Sequence, residues 1–336
     1  MYIGVPTEIK NSEFRVALTP LSVKSIVEEN HKVFVQSNAG KAIGYDDKSY
    51  LEAGAVILDS AKGVYESSEL IVKVKEPMPE EFPYLTTKHT LFTYLHLASD
   101  LRQANDLISS GVTGIAYETV TADDGSMPLL APMSSIAGQL SIVVGSYHLL
   151  KPNKGMGTLI GAFQDVGPRV VTVIGAGVAG TEAIEKAINN RAHVKIIDLS
   201  QKRLDDLQKI HGNSNIEYVL STESSIEEAL MESDLVIGAV YVVGKQAPKV
   251  VKKSMLKNMK PGAVMVDISI DQGGCFESSK PTTHDNPTYE KDGIIHYCVT
   301  NMPGAVPLTA TQALNKATLP YILELADKGI ENALSE

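Results

Sequence analysis

Short runs of apolar and β-branched residues alternate with helical patterns along nearly the whole chain. In the N-terminal part the strand-like runs are residues 1–5, 32–36, 70–75, 90–96 and 112–117, and residues 21–29 show a helical pattern. Strands that alternate with helices are typical of parallel sheets whose strands are joined by crossover helices. The pattern therefore predicts an α/β unit in this part of the chain.

A second series of the same kind follows a long helical pattern at residues 134–150 and a loop at 151–168. In that helix the apolar residues recur at helical spacing, namely Ile136, Leu140, Val143, Val144 and Tyr147. Strand-like runs at 169–174, 193–197, 235–240, 263–268 and 293–299 then alternate with helical ones at 181–189, 225–231 and 253–259. This order predicts a doubly wound nucleotide-binding domain, with helix 134–150 as a hinge.

The last stretch, residues 309–334, is helical again. Its predicted apolar stripe consists of Ala313, Ala317, Tyr321, Leu325 and Ala326. We expect this helix to pack on the first domain, which makes that domain discontinuous. The fold class is thus predicted to be α/β, with two Rossmann-like doubly wound domains joined by long helices: 1–128 with 307–336, and 129–306. The length of 336 residues agrees with two domains of about 150 residues each.

Composition and charge indicate which partners and which cellular location are expected for this protein. The net charge is −10 and no dense block of Lys and Arg occurs, so nucleic acid is not an expected partner. No apolar run approaches the length of about 18 residues that a membrane span needs, and the charged N-terminal residues exclude a signal-peptide core. Cys275 and Cys298 lie outside any metal-binding spacing, so we expect no disulfide framework and no metal. A soluble cytoplasmic protein is predicted.

The strand-like run 170–174 is followed by the pattern Gly-x-Gly-x-x-Gly at residues 175–180, and a helical pattern follows the glycines. Gly175 permits a tight turn, Gly177 lets backbone approach a pyrophosphate, and Gly180 lets helix and strand pack closely. Asp198 ends the next strand, 23 residues after Gly175, where a carboxylate can accept from a ribose hydroxyl. The pattern predicts a dinucleotide site and favours NAD over NADP, against the alternative of a glycine-rich connecting turn.

Four polar side chains end strand-like runs, where ligands bind in open α/β sheets. Lys75 and His96 close two runs of the first series, and Asp271 and Asn301 follow two runs of the second. A lysine can hold a carboxylate, and an imidazole transfers protons near neutral pH. Each also has an ordinary structural explanation: an edge lysine, a structural histidine, an Asx turn and a turn asparagine.

The chain resembles the alanine dehydrogenase and pyridine nucleotide transhydrogenase superfamily, and within it the alanine dehydrogenases. The resemblance covers almost the whole chain and is carried by the segments 4–10, 15–20, 73–77, 92–98, 130–134, 271–276, 281–284 and 301–307. It implies oxidation of L-alanine with NAD to pyruvate and ammonium, reversibly, by a homo-hexamer.

The resemblance also implies roles for individual residues. Arg15 and Lys75 are expected to bind the substrate carboxylate and carbonyl, and His96 and Asp271 to form the acid/base pair. Asn301 is expected at the substrate because of its position after a strand, beside the same crevice. The implied dinucleotide contacts are Ser134, Gly175, Gly177, Val178, Ala179, Gly180, Asp198, Arg203, Ser221, Val240, Ile268, Asp271, Lys280, Val299 and Met302.

Some positions depart from the family pattern. Leu308 and Lys280 stand where the family often has arginine, and the family normally continues beyond the position of Glu336. Two alternatives therefore stand beside the leading hypothesis. One is a catalytically silent NAD-binding protein, and the other is a different amino-acid dehydrogenase or a transhydrogenase-like protein of the same fold.

Overall fold

The computed structural model describes residues 1–97, 100–242 and 245–335. The chain divides into two compact units, one formed by Met1–Met133 together with the chain from Val306 onward, and the other by Ser134–Ala305. Among the described residues, none of the helices combines the length and the apolar character needed to cross a membrane.

The elements follow one another in the order that the sequence pattern indicates, with several additions. Up to the middle of the chain they are β1 (Tyr2–Val5), α1 (Pro20–Glu28), β2 (Lys32–Gln36), α2 (Asp47–Glu52), β3 (Val56–Leu58), α3 (Ala61–Glu66), β4 (Leu70–Val72), β5 (Thr90–Thr93), α4 (Leu101–Ser110), β6 (Thr113–Ala116) and α5 (Ala131–His148). The remaining elements are β7 (Val170–Ile174), α6 (Val178–Asn189), β8 (His193–Asp198), α7 (Gln201–His211), β9 (Ile216–Leu220), α8 (Glu223–Glu232), β10 (Leu235–Gly238), β11 (Val264–Asp267), β12 (Thr288–Lys291), β13 (Ile294–Tyr297), α9 (Pro307–Lys328) and α10 (Ile330–Ala333).

The first unit contains a parallel sheet in the order β3-β2-β1-β4-β5-β6. Strands β4 and β5 are buried along their whole length, because helices cover both faces of such a sheet. Local signals set the helix starts. For example, the Thr19 hydroxyl accepts from the backbone N of Ser22 at 3.2 Å, and Pro20 occupies the first turn of α1, where no N–H is needed.

The second unit contains a sheet in the order β12-β13-β11-β10-β7-β8-β9. All its pairs are parallel except that of β12 with β13, which is antiparallel. Strand β7 lies between β10 and β8, so the direction of winding reverses at the strand that carries the glycine pattern. This is the point at which doubly wound folds bind nucleotides. The prediction of mixed α/β with two doubly wound sheets is confirmed.

The predicted stripe of the terminal helix is wrong in phase. The buried face of α9 is formed by Ala310, Thr311, Leu314, Asn315, Thr318, Ile322, Leu325 and Ala326, and it includes only the last two predicted positions. Two polar residues explain the difference. The hydroxyl of Thr311 accepts from the backbone N of Val16 at 3.2 Å, and Asn315 Oδ1 accepts from the backbone N of Thr19 at 2.7 Å.

The apolar spacing in α5 does not mark one buried face either, since Val143 is 52% exposed and Tyr147 is 57% exposed. The packed face combines apolar side chains such as Ile142 with small residues. A Cβ at Gly138 would lie 2.1 Å from the carbonyl oxygen of Ala179, and one at Gly145 would lie 2.5 Å from the Leu235 side chain. Close approaches at these two glycines and buried apolar side chains such as Ile142 together pack this helix against the core of the second unit.

Several predicted strands end earlier than their apolar runs. Strand β4 ends at Val72, β5 at Thr93 and β11 at Asp267. In addition, the helix predicted at 253–259 is a 3₁₀ helix, Lys253–Asn258. The polar residues predicted at strand ends therefore lie in the loops that follow the strands.

Candidate active site and dinucleotide loop

The loop between β7 and α6 and the first turn of α6 contain three glycines, and a side chain would not fit at two of them. Gly175 has a φ of +95°, and a Cβ there would lie 2.6 Å from the carbonyl oxygen of Ala239. A Cβ at Gly180 would lie 1.8 Å from the carbonyl oxygen of Gly175. At Gly177, which precedes the helix, the same position has no described atom within 4 Å. Gly175 and Gly180 therefore pack closely against neighbouring backbone, whereas space remains beside Gly177.

Two residues predicted to contact the cofactor hold the Ala176 peptide groups of this loop. Asp198, the last residue of β8, accepts from the backbone N of Ala176 and from that of Ser200, each at 2.8 Å. Arg203 on α7 donates from Nε to the Ala176 carbonyl at 2.9 Å and from Nη2 to the Thr181 hydroxyl at 2.7 Å. The loop conformation is thus maintained by side chains from β8 and α7.

The loop fits the pyrophosphate of a dinucleotide. The first turn of α6 carries the amides of Val178, Ala179 and Gly180, and first-turn amides have no acceptor within their own helix. An ionised carboxylate offers about four acceptor positions. Asp198 therefore keeps acceptor capacity beyond its two backbone contacts, at the strand end where a ribose hydroxyl would lie.

Other predicted cofactor residues follow neighbouring strands at the same sheet edge. Ser221 follows β9, and its backbone N donates to the Asp198 carbonyl at 2.9 Å. Val240 follows β10, and its carbonyl accepts from the Ser269 hydroxyl at 2.7 Å. Ile268 begins the 3₁₀ helix Ile268–Gln272 that follows β11. The edge thus joins β9 to β8 and β10 to β11 by direct hydrogen bonds.

Asp271 lies in that 3₁₀ helix with an exposed side chain. The fully buried side chain of Asp267 stabilises this segment through hydrogen bonds to its backbone. Asp267 accepts from the backbone N of Ser269 at 3.0 Å and from that of Cys275 at 2.9 Å. Burial raises the pKa of Asp267, and hydrogen bonds from Ser279 and the neighbouring amides counteract that rise. A buried, hydrogen-bonded carboxylate thus supports the turn that carries Asp271.

Asn301, Val299 and Met302 follow β13, and the last two are buried. Asn301 has a φ of +62°, in the left-handed region. Its carbonyl accepts from the backbone N of Gly304 at 2.9 Å and from Nε2 of His284 at 3.2 Å. These contacts stabilise a backbone conformation that residues with a side chain seldom adopt.

Two further predicted cofactor residues lie elsewhere in the second unit. Ser134 is half-buried in α5. Lys280 is exposed, and its ammonium lies 5.8 Å from the ring centroid of Tyr289 on the edge strand β12. Within the described ranges, the hydrogen bonds and ring contacts of Lys280 do not include the glycine loop.

In the first unit, Arg15 is buried and bound by Glu13. Nε of Arg15 contacts one Glu13 carboxylate oxygen at 2.7 Å, and Nη2 contacts the other at 2.6 Å. Nη1 lies 3.2 Å from the sulfur of Met133. Burial by itself lowers the pKa of Arg15, but the Glu13 carboxylate outweighs this effect and raises it. The guanidinium is thus held in a fixed orientation and stays charged.

Lys75 is buried three residues beyond the end of β4. The Glu8 carboxylate accepts from the backbone N of Val74 at 2.6 Å and from that of Lys75 at 3.4 Å. The carbonyl of Lys75 accepts from the Thr93 hydroxyl at 2.9 Å. Glu8, which follows β1, and Thr93, the last residue of β5, therefore position the segment that carries Lys75.

Lys73, which alternation placed on the same face as Lys75, is a fully buried structural cation. Its ammonium lies 3.2 Å from a Glu8 oxygen and 2.9 Å from a Glu81 oxygen, which also accepts from the Tyr65 hydroxyl at 2.9 Å. Burial by itself lowers the pKa of Lys73, but the two carboxylates outweigh it and raise the pKa above its ordinary value. The group stays protonated.

His96 lies three residues beyond the end of β5 and has a φ of +48°. Its backbone N donates to a Glu118 oxygen at 2.6 Å. The imidazole ring is stacked with the Tyr94 ring, with centroids 5.7 Å apart and an interplanar angle of 8°. Burial together with the Glu118 carboxylate raises the pKa of Tyr94, and Arg15 acts against that rise. The first unit thus brings Arg15, Lys75 and His96 to one edge of its sheet.

Sequence reasoning missed the residues that hold these segments, chiefly Glu8, Glu13, Glu118 and Asp267. Glu118 and Asp267 lie at the carboxyl ends of β6 and β11, so the strand-end rule could have drawn attention to both. The roles of Glu8 and Glu13 depend on contacts formed only in the folded chain. Among the described residues, no cluster of three His, Cys, Asp or Glu side chains could hold a metal ion.

Comparison with known proteins identifies the family. The family model for the alanine dehydrogenase/PNT N-terminal domain matches residues 4–137, and the model for the C-terminal domain matches residues 141–336. An alanine dehydrogenase of Halomonas elongata is 49% identical over 336 residues, which cover 100% of this chain and 90% of that protein. One of Mycolicibacterium smegmatis is 49% identical over 335 residues, covering 99% and 90%.

Solved structures agree with the sequence matches. An L-alanine dehydrogenase superposes with a TM-score of 0.95 at 48% identity, covering 100% of this chain and 92% of that one. A transhydrogenase from Sinorhizobium meliloti has a TM-score of 0.84 at 21% identity, covering 97% and 95%, and it shares the fold. Because both family models match in order, and because a relative is 49% identical over 336 residues, this chain belongs to the alanine dehydrogenase/PNT family.

Proposed function

We propose that this chain catalyses the NAD-dependent oxidative deamination of L-alanine to pyruvate and ammonium, and the reverse reductive amination. The observation that carries the proposal is the set formed by Arg15, Lys75 and His96. Two buried cations and an imidazole follow strands of one sheet, in a chain that is 49% identical to an alanine dehydrogenase over 336 residues.

The two cations suit the carboxylate end of a small amino acid. Arg15 presents a planar guanidinium, which pairs well with a carboxylate, and Glu13 fixes its orientation before substrate arrives. Lys75 offers a single point charge for the carbonyl oxygen that develops at the substrate. Both cations are buried, so their attraction for an anion is screened less than at the surface.

His96 and Asp271 are the proposed acid/base pair. In the oxidative direction the amine loses a proton and Cα loses a hydride, which leaves an iminium. Water adds to this iminium, and the resulting carbinolamine expels ammonia to give pyruvate. His96 takes the proton of the amine and releases it to solvent. It then takes a proton from the attacking water and returns it to the departing nitrogen, and the hydroxyl proton of the carbinolamine passes to the ammonia, which leaves as ammonium. Asp271 orients the water and favours the positive charge of the iminium.

NAD, rather than NADP, is the proposed cofactor. When bound, its nicotinamide supplies the hydride acceptor. The chain's own contribution is the glycine loop with the α6 amides for the pyrophosphate, and Asp198 for the ribose. A carboxylate in that position repels a 2′-phosphate.

An amino-acid panel assay with both cofactors tests the proposal. Purified protein is incubated with L-alanine, glycine, serine or 2-aminobutyrate and either NAD or NADP, and NADH or NADPH formation is recorded. The fastest reduction is expected with L-alanine and NAD. A faster rate with another amino acid favours a different amino-acid dehydrogenase, and tight NADH binding without turnover in either direction favours a silent binding protein.

Assembly and location are proposed from the family resemblance alone. We propose a homo-oligomer, with a hexamer as the expected state, that works in the cytoplasm on a small-molecule substrate. Light scattering coupled to size-exclusion chromatography measures the mass of the assembly, and a monomer would contradict the proposal.

A further inference from the structure

The peptide group between Leu95 and His96 is bound on both sides by side chains of other elements. Its N–H donates to Oε1 of Glu118 at 2.6 Å, and its carbonyl accepts from Nε2 of Gln103 at 2.7 Å. Glu118 follows β6, and Gln103 lies on α4 and is 8% exposed. The plane of this one peptide is therefore set from two directions, by side chains that lie 8 and 22 residues further along the chain.

The orientation of that peptide determines the backbone of His96. A φ of +48° is uncommon for a residue with a side chain and persists only where surrounding contacts stabilise it. Glu118 adds two longer contacts, since both of its carboxylate oxygens lie 3.2 Å from the backbone N of Leu95. The Glu118 carboxylate thus accepts from two consecutive backbone N–H groups, those of Leu95 and of His96 itself.

The helix that supplies Gln103 is itself anchored next to this segment. Asp100 caps α4, accepting from the backbone N of Arg102 at 2.9 Å and from that of Gln103 at 3.2 Å. Tyr94 fixes the other flank, because its hydroxyl donates to the Leu129 carbonyl at 2.6 Å while its ring stacks on His96. The imidazole direction therefore depends on how the preceding peptide is held.

We propose that Glu118 and Gln103 are positioning residues that clamp the Leu95–His96 peptide and thereby aim the His96 imidazole at the substrate. This inference rests on the proposed function only in that His96 is the group being aimed. Neither positioning residue needs to touch substrate or cofactor. Their effect acts on kcat, because a misdirected base still permits binding but lowers the rate of proton transfer.

Substitutions on the two sides of the peptide test the clamp. Glu118→Gln is expected to lower kcat for L-alanine by about 10- to 100-fold, since misplacement of a reacting group by about 1 Å costs about 100-fold. Gln103→Leu removes a neutral hydrogen bond and no charge, so a loss of about 3- to 10-fold is expected. Glu118→Asp keeps the charge and is expected to recover part of the loss. In every variant the NADH dissociation constant and KM should stay within about twofold.

Matched controls separate the clamp from a general loss of charge or of an amide. Asp123→Asn removes an exposed carboxylate five residues after Glu118, and Asn105→Leu removes an exposed amide on the same helix as Gln103. Both controls are expected to keep wild-type kcat. Wild-type kcat in Glu118→Gln and Gln103→Leu overturns the proposal, as does a loss in them that is matched by equal loss of thermal stability and NADH binding.

A crystal structure of Gln103→Leu keeps failure of the clamp distinct from failure of the proposed function. The φ of His96 is expected to leave the left-handed region in this variant. If it stays near its wild-type value with kcat unchanged, the clamp is refuted while alanine turnover by the wild type stands. If the wild type turns over no alanine, the φ of His96 alone decides the clamp.

Discussion

Replacing the buried Lys73 with methionine is expected to destabilise the first unit strongly. The ammonium is fully buried between Glu8 and Glu81, at 3.2 Å and 2.9 Å from their oxygens. Methionine fills nearly the same volume but carries no charge. The substitution therefore leaves two carboxylates buried without their shared cation, which is the costly way to break a buried ion pair.

The loss of unfolding free energy can be estimated from the hydrogen bonds that the two carboxylates keep in the variant. Removing one partner of a buried ion pair costs about 3–5 kcal/mol. Glu8 keeps its hydrogen bond from the backbone N of Val74 at 2.6 Å, and Glu81 keeps that from the backbone N of Met78 at 2.9 Å. We therefore expect the lower end, about 3 kcal/mol. With a urea m-value of about 2 kcal/mol/M, the unfolding midpoint falls by about 1.5 M.

The cost should depend on pH in a defined direction. Burial raises the pKa of Glu8, and the Lys73 ammonium partly offsets that rise. Without the ammonium the pKa of Glu8 rises further. A carboxyl whose pKa is raised by folding adds stability below that pKa and loses it as pH increases through it. The stability of the variant should therefore approach that of the wild type as pH is lowered from the alkaline range towards 4.5, the ordinary pKa of a glutamate.

Urea titrations followed by near-ultraviolet circular dichroism provide the measurement. The chain has no tryptophan, and the first unit contains fully buried tyrosines, Tyr65 and Tyr117 among them, so loss of its packing contributes to the change in the tyrosine signal. Lys24→Met is the control, because its ammonium is exposed and lies 3.9 Å from Glu28; about 0.5 kcal/mol or less is expected. A midpoint change in Lys73→Met no larger than in the control, or a cost that grows as pH falls, would refute the reasoning.

Three further predictions concern the site itself. His96→Ala and Asp271→Asn are each expected to lower kcat by about 10²- to 10⁴-fold with NADH affinity unchanged in a fluorescence titration; loss of NADH binding in both would contradict their assigned roles. Asp198→Ala should relax the preference for NAD over NADP, measured as the ratio of kcat/KM values, and an unchanged ratio would count against the ribose contact. Gly180→Ala should abolish NADH binding, because its Cβ would lie 1.8 Å from a backbone oxygen, whereas Gly63→Ala, with 3.4 Å of clearance, should leave binding intact.

Local and strongly patterned features of this fold were predictable from the sequence. The alternation of strands and helices and the glycine pattern at 175–180 depend on residues close together in the chain, and the structure has them in that order. The turn at Gly175 needs a positive φ and a close approach to Ala239, which only glycine tolerates. Patterns of this kind can be recognised from the sequence without knowledge of tertiary contacts.

Features that depend on contacts distant in sequence were not predictable. Glu8 contacts backbone more than sixty residues away, and Glu118 reaches back 22 residues to His96. The stripe of α9 was out of phase because Thr311 and Asn315 are buried as hydrogen-bond partners of the 16–19 segment, and a pattern of apolar residues ignores them. The predicted ends of β4 and β5 were too late because the residues after each strand, 73–75 and 94–95, are buried like the strand itself although they are no longer paired in the sheet.

The central claim is tested most directly by adding L-alanine and NAD to the purified protein at alkaline pH and recording NADH formation, with pyruvate, ammonium and NADH as the reverse assay. Turnover in both directions, fastest with alanine among the amino acids tested and reduced at least 100-fold in His96→Ala, is the predicted result. No NADH formation together with no consumption in the reverse assay, by protein that still binds NADH, would contradict the account.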